Sequence, residues 1–551
     1  MATKVKKKPV KKKEPKLRIT VRHALTNIYV VLMFTLFPLF LSNRYNAARR
    51  DKFWFLVILT AIIGVSVGVL TIVDFFTKNS PYSQRLYAHH DPLKITLTDV
   101  FFASFTVISV ISTFLSYDIK HSFIGLTTGI SDGRNMGLLT ILLLFAAYLF
   151  ISRFFFFDKW IIYCAFGAMA IVSLLAVSNY YYFDPLNYFD YYKNTSSYNT
   201  TLMNFTSTIG NKNYLSAFIC VSLPFSLGMA ITSNDRTMRT IAYINTGIQF
   251  MGLIVATSDG GFLGLFALLL TLFVVLSRST EKLKRFFFSL TIMAFSSRVL
   301  WLFDFLMDGI SKGYSSFSEL VLHSNVMYVA LALFAALTVL MHFLNEKIEG
   351  EVLPRYVFFG ALGAVVAVLV VIAALFINYT YIDTESTLTG FKKFFRFDEY
   401  WGTHRGYFWI RSIDIFNNDH NFIEKLFGTG PDSYYQAFKP YFKELSAFTG
   451  NREGSVNAAH NVYLNYLVTH GVLGLVSYLG LIVSSIVLSV KRARTNPLAL
   501  VALCVIVTYA TQDIINIANP VNTPWFIMFI ALSEATNLRA NKEERLASIN
   551  F

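Results

Sequence analysis

Cysteine is nearly missing: Cys164, Cys220 and Cys504 are the three in the chain, each within an apolar run and none in a Cys-x-x-Cys pair. That pattern argues against a disulfide framework and against a thiolate zinc site. Charge is scarce too, at 15% of residues against 54% hydrophobic ones, with a mean hydropathy of +0.50. A soluble chain of 551 residues does not carry that balance. There is no glycine-rich phosphate loop closed by a lysine, no His-Glu-x-x-His helix and no short-period repeat. Nucleotide hydrolysis is therefore not indicated, and any chemistry must use a substrate already activated in the membrane. Ionisable residues within the apolar runs, the usual mark of a transport path, are also rare. Arg298 and Asp304 are exceptions, and their spacing does not put them on one helix face.

Long apolar runs are what the chain has in quantity. About 20 apolar residues cross a bilayer as a helix, and runs near 24–41, 53–75, 97–115, 135–152, 159–178, 213–232, 240–256, 260–277, 286–306, 322–343, 356–378, 460–489, 498–515 and 521–536 meet or approach that length. The expected fold is all-α: a polytopic membrane bundle of about 12–14 transmembrane helices with a large, partly helical extracytoplasmic loop. Its expected parts are a basic cytoplasmic tail (1–22), a transmembrane bundle (23–378), a catalytic loop (379–459), C-terminal membrane helices (460–536) and a second cytoplasmic tail (537–551).

Lys and Arg flanks resist translocation. Counting from the lysine-rich start puts Arg236 and Arg239, Lys282 to Arg285, Lys347 to Arg355, Lys491 to Arg494 and Arg539 to Arg545 on one side, read as cytoplasmic together with both termini. The loop carrying Arg44, Arg49, Arg50 and Lys52 falls on the other side, so it is either functional there or the first hairpin is misassigned. The net charge of +15 faces anionic lipid, and nucleic acid need not be invoked.

The segment Ala459-His460-Asn461-Val462-Tyr463-Leu464-Asn465-Tyr466 puts an imidazole at the mouth of a span, directly after the one long polar stretch. Three further constellations accompany it: Thr208-Ile209-Gly210-Asn211-Lys212-Asn213, Thr257-Ser258-Asp259-Gly260-Gly261, and Arg405-Gly406-Tyr407-Phe408-Trp409 followed by Phe427-Gly428-Thr429-Gly430-Pro431. In their order and placement they resemble the O-antigen ligase and O-antigen polymerase superfamily of bacterial membrane glycosyltransferases. The resemblance implies metal-independent, inverting transfer of a glycan from a polyprenyl (undecaprenyl) diphosphate carrier to a saccharide or lipid-saccharide acceptor. It also implies a site on the outer face of a bacterial plasma membrane, without a cofactor. Where many relatives carry arginine, this chain has Asp259, which puts that position's role in doubt. Arg134 remains as a cation on the same face.

A sugar leaving a diphosphate needs positive charge on the departing phosphates, and a guanidinium holds two phosphate oxygens at once. Arg405, Arg411 and Arg134 are the candidates. Arg405 opens an expected amphipathic helix, 405–416, whose Trp409, Ile413 and Phe416 suit a membrane surface; lipid snorkelling is the plain alternative. His460 suits the base that takes the acceptor proton, with Asn461 orienting the ring or the sugar; a helix cap is the alternative. Gly428 and Gly430 offer amides to a phosphate or end a helix, and Asn211 and Asn213 bond sugar hydroxyls or cap a span. His470, mid-span, is expected to face a neighbouring helix. The aromatic stretch Tyr180 to Tyr192 suits sugar rings or the bilayer interface. A polysaccharide or lipid-linked oligosaccharide transporter is the competing reading, and it requires a charge-lined central cavity.

Overall fold

The computed structural model describes residues 21–42, 48–77, 94–125, 134–187, 206–307, 312–348, 353–383, 392–449, 456–493 and 496–538. Among them the chain is helical with no strand. Fourteen long helices follow one another: α1 Val21–Phe34, α2 Ala48–Phe76, α3 Leu97–Phe114, α4 Leu138–Phe154, α5 Lys159–Tyr180, α6 Lys212–Thr232, α7 Arg236–Val255, α8 Asp259–Leu276, α9 Thr280–Leu306, α10 Val326–Ile348, α11 Arg355–Ile377, α12 Val462–Arg492, α13 Pro497–Gln512 and α14 Thr523–Leu538. Eleven are long and apolar enough to cross a membrane, while α4, α7 and α14 are shorter or more polar. The N-terminal tail to residue 20, Tyr188 to Tyr192 and the C-terminal tail from 539 lie outside the described residues.

Small residues set the packing, because hydrocarbon gives apolar helices no reason to associate and close backbone approach must do so instead. The central helix α6 is buried from Leu215 to Thr232. A Cβ on its Gly228 would stand 2.9 Å from Val501 of α13, and one on Gly264 of α8 would stand 2.9 Å from the Thr508 carbonyl. Polar side chains join the helices inside: Gln249 of α7 accepts from Ser173 of α5 at 3.0 Å and Ser222 of α6 at 2.6 Å. By contrast almost no residue of α10 and α11 is fully buried, as at the lipid-facing rim of a bundle.

Helix starts follow from capping chemistry. Thr96 and Asp99 form a reciprocal capping box on α3, and Asn211, Asp235, Ser279, Asn461 and Asn496 accept first-turn amides of α6, α7, α9, α12 and α13. Helices α1 and α2 lie where the first two apolar runs were, and Lys52, of the basic stretch between those runs, is drawn inside. Lys52 is 0% exposed and its Nζ donates to the Phe40 and Thr208 carbonyls, both at 3.1 Å. It ties the α1–α2 turn to the turn before α6. Arg44 lies outside the described residues.

The polar stretch after α11 folds over one end of the bundle as short helices, Lys392–Phe395, Trp401–Asp414, Phe422–Phe427, Tyr434–Phe438 and Phe442–Thr449. It has its own apolar core, in which Tyr407, Ile415, Tyr434, Phe438, Phe442 and Leu445 pack with Val456, Ala459 and Val468. This core seats the loop on the first turns of α12.

α12 is broken at Gly471, whose φ of 67° interrupts the helix. The break frees carbonyls that need partners at this depth. Thr429 Oγ donates to Val468 O at 3.4 Å, while the Gly430 amide and Ser112 Oγ donate to Thr469 O at 3.0 and 2.8 Å. The loop is thereby plugged into the kink.

Candidate active site

His460 sits one residue before the α12 cap. Its φ of 52° is left-handed, a conformation of modest cost for a non-glycine residue that turns its side chain off the helix line. Asn461 then accepts from Tyr463 N and Leu464 N at 2.9 and 3.0 Å. The partly buried imidazole faces the Phe408 ring at 5.7 Å. Burial, then the positive charges of Arg134 and Arg405, hold its pKa down at about 3. The ring is therefore neutral at physiological pH and stands in the field of both guanidiniums.

Arg134 reaches the site from the residues before α4. Its Nε donates to the Asn457 carbonyl at 3.2 Å and its Nη2 to Asn457 Oδ1. Its Nη1 is buried without a hydrogen-bond partner among the described residues. The Arg134 amide donates to Asp432 Oδ2 at 2.9 Å, and His121 Nε2 lies 3.1 Å from the Asp432 carbonyl. Burial pushes the Asp432 carboxyl up to about 6, although Arg134 and His121 both pull it down. Asp432 thus pins the α4 approach to the polar cap. The electrostatic neighbours of Arg134 also include Tyr214 of α6 and Arg49 of α2.

Arg405 begins the regular part of its helix, because Gly402, Thr403 and His404 all have positive φ and turn the chain just before it. Burial lowers its pKa, and the charge of Asp259 opposes that shift. Among the described residues its guanidinium makes no hydrogen bond or ion-pair contact. Asp259 also accepts from the Phe317 amide at 3.2 Å. Asp259 therefore lies in the field of Arg405 and holds a first-turn amide of the short helix Ser316–His323, whose N-cap is Ser315.

Other expected ligand contacts are not brought to this site. Arg411 is held by Asp414 at 2.8 Å, Glu399 at 3.4 Å and Glu444, and it stacks on Tyr407 and Tyr441. Burial would lower its pKa, but bonds to Asp414, Glu444 and Tyr407 raise it. It braces the loop. The Gly428 amide donates to Glu424 O at 2.7 Å and that of Gly430 to Thr469 O, so neither is turned to a phosphate. Asn211 and Asn461 are caps, and Asn213 accepts from Ser258 at 2.9 Å. His470 stacks on Phe105 of α3, with ring centroids 5.1 Å apart. Arg298 donates to Val321 O and Leu322 O at 2.6 and 2.7 Å, and Asp304 accepts from Tyr314, so both hold the segment around Ser316–His323.

Sequence reasoning passed over Asp432 and His121. Nothing local to either residue marked it, since each acts through partners distant in the chain.

Among the described residues, fourteen long helices carry a polar cap that closes a cationic, histidine-bearing site over one end of a membrane bundle. The family model described as O-antigen ligase matches residues 313–479, which contain Arg405, Asp432 and His460. No curated protein matches the chain. Residues 313–479 are thus similar to the O-antigen ligase family.

Proposed function

We propose that the chain transfers a glycan from a polyprenyl diphosphate carrier to an acceptor hydroxyl at the extracytoplasmic surface, with both termini in the cytoplasm. The observation that carries this reading is the placement of Arg134, bonded to Asn457, and of Arg405, on the helix whose Phe408 faces the ring, around a neutral His460. Arg134 Nη1 and the Arg405 guanidinium supply donors for diphosphate oxygens. As the acceptor oxygen attacks the anomeric carbon, the bond from that carbon to the phosphate oxygen breaks and its electron pair leaves with the carrier. The acceptor proton passes to His460. A single displacement of this kind inverts the anomeric centre and needs no metal.

An imidazole with a pKa of about 3 is a weak base when alone, and a general base works best near the operating pH. A diphosphate between Arg134 and Arg405 offsets the two charges that depress it. Donor binding thereby raises the basicity of His460 where the acceptor is to be deprotonated.

The test is transfer by the purified chain in proteoliposomes supplied with undecaprenyl-diphosphate-linked oligosaccharide and a soluble oligosaccharide acceptor. Wild type is expected to form product, and a folded His460→Ala protein to lose ~10²-fold or more of the rate. Full transfer by His460→Ala would remove the central residue.

A further inference from the structure

A second polar cluster lies beside the cationic site, and the mechanism above makes no use of it. It is built at the end of α13 and in the turn before α14. Gln512, Asp513, Asn516 and Asn522 are 1%, 1%, 4% and 1% exposed. Each retains a buried side-chain atom with no hydrogen-bond partner among the described residues: Gln512 Oε1, Asp513 Oδ1, Asn516 Nδ2 and Asn522 Oδ1. Four such atoms within eleven positions are far from the norm for buried polar groups, which nearly always find a partner.

The cluster is tied to the site by shared residues. Asn522 Nδ2 donates to the Tyr214 carbonyl at 2.9 Å, and Tyr214 is an electrostatic neighbour of Arg134. Tyr463, three residues after His460, donates to Ala510 O at 2.6 Å, and Tyr478 donates to Asp513 Oδ2 at 3.3 Å. Among the described residues no cation pairs with Asp513, and its electrostatic neighbours include Tyr463, Tyr466, Tyr478 and Tyr509.

Three unpartnered acceptors and one donor match the chemistry of sugar hydroxyls, each of which both donates and accepts, and do not match a phosphate, which only accepts. We infer that Asp513, Asn516, Asn522 and Gln512 form the subsite that holds the hydroxyl groups of the acceptor saccharide against His460. The assignment rests on the transfer reading above. It divides the site into a cationic half for the carrier diphosphate, from α4 and the cap, and an uncharged-to-acidic half for the acceptor sugar, from α12 and α13. Tyr463 and Tyr478 line the second half.

The test uses the full chain in nanodiscs and two probes: a panel of methyl hexopyranosides, read by saturation-transfer NMR, and undecaprenyl diphosphate, read by native mass spectrometry. At least one glycoside is expected to bind wild type saturably. Asp513→Asn and Asn516→Ala are each expected to weaken it about tenfold, since a buried partner is lost. Both are expected to leave undecaprenyl diphosphate binding within about twofold of wild type. Arg405→Gln is expected to do the reverse. Any of three results overturns the subsite: no glycoside binds wild type, so the cluster holds water only; the variants bind glycoside as wild type does; or both probes are lost together in both variants. If Arg405→Gln keeps the diphosphate while the glycoside losses hold, the donor reading fails and the acceptor subsite stands.

Discussion

Removing the two guanidiniums should return basicity to His460 by a calculable amount. A unit charge at about 10 Å in an effective dielectric of about 20 contributes roughly 1.7 kcal/mol, or about one pKa unit. The imidazole, held at about 3 by burial and by both arginines, should therefore rise to about 4 in Arg405→Gln and to about 5 in Arg134→Gln/Arg405→Gln, the remaining depression being due to burial. The neutral ring alone is acylated by diethyl pyrocarbonate, so the rate at His460, read by peptide mass spectrometry, follows the unprotonated fraction. In wild type the rate should stay flat from about pH 7 down to about pH 4.5. In the double variant it should fall on acidification through about pH 5, because the proton is now taken up there. Undecaprenyl diphosphate added to wild type should move the midpoint in the same direction. A wild-type midpoint near the ordinary histidine value of 6.5, or one unmoved in the double variant, would show that the arginines do not act on this ring.

Gly428→Ala should lower the thermal midpoint by several degrees. Its φ is 77° and a Cβ there runs into the Thr469 and His470 backbone, a combined cost of about 1–3 kcal/mol, measurable by fluorescence-detected gel filtration after heating. Arg411→Ala should make the cap more sensitive to trypsin while leaving undecaprenyl diphosphate binding intact, since Glu399, Asp414 and Glu444 lose their common partner; loss of binding would return Arg411 to the site. At the far end of the bundle Arg153 and Asp99 form a buried pair at 2.6 Å. Arg153→Met should destabilise by about 3–5 kcal/mol, and adding Asp99→Asn should recover much of it, because the lone carboxylate is the costly species.

The spans were legible because length and apolarity are local properties, and fourteen runs became fourteen helices. His460 and Arg405 were singled out on local grounds too, the first where polar loop meets apolar run, the second as the opening of an aromatic segment expected to be helical. Contacts that depend on distant elements were not. Arg411 has the composition of a phosphate ligand, and only the folding of Glu399 and Glu444 onto it makes it a brace. Lys52 counted against the sidedness of the first loop, yet it is buried and bonded to carbonyls from two other turns. Nothing local marked Gly471 as a break in its span. Its left-handed φ is tolerated because Thr429 and Gly430, from the cap, and Ser112, from α3, satisfy the carbonyls it frees.

The most direct measurement is photo-crosslinking with a polyprenyl diphosphate that carries a diazirine next to its phosphates, followed by peptide mapping of the reconstituted chain. The account predicts adducts on the peptides around Arg134, Arg405 and His460, in competition with unlabelled undecaprenyl diphosphate. Adducts confined to the opposite end of the bundle, or to the lipid-facing surfaces of α10 and α11, would contradict it.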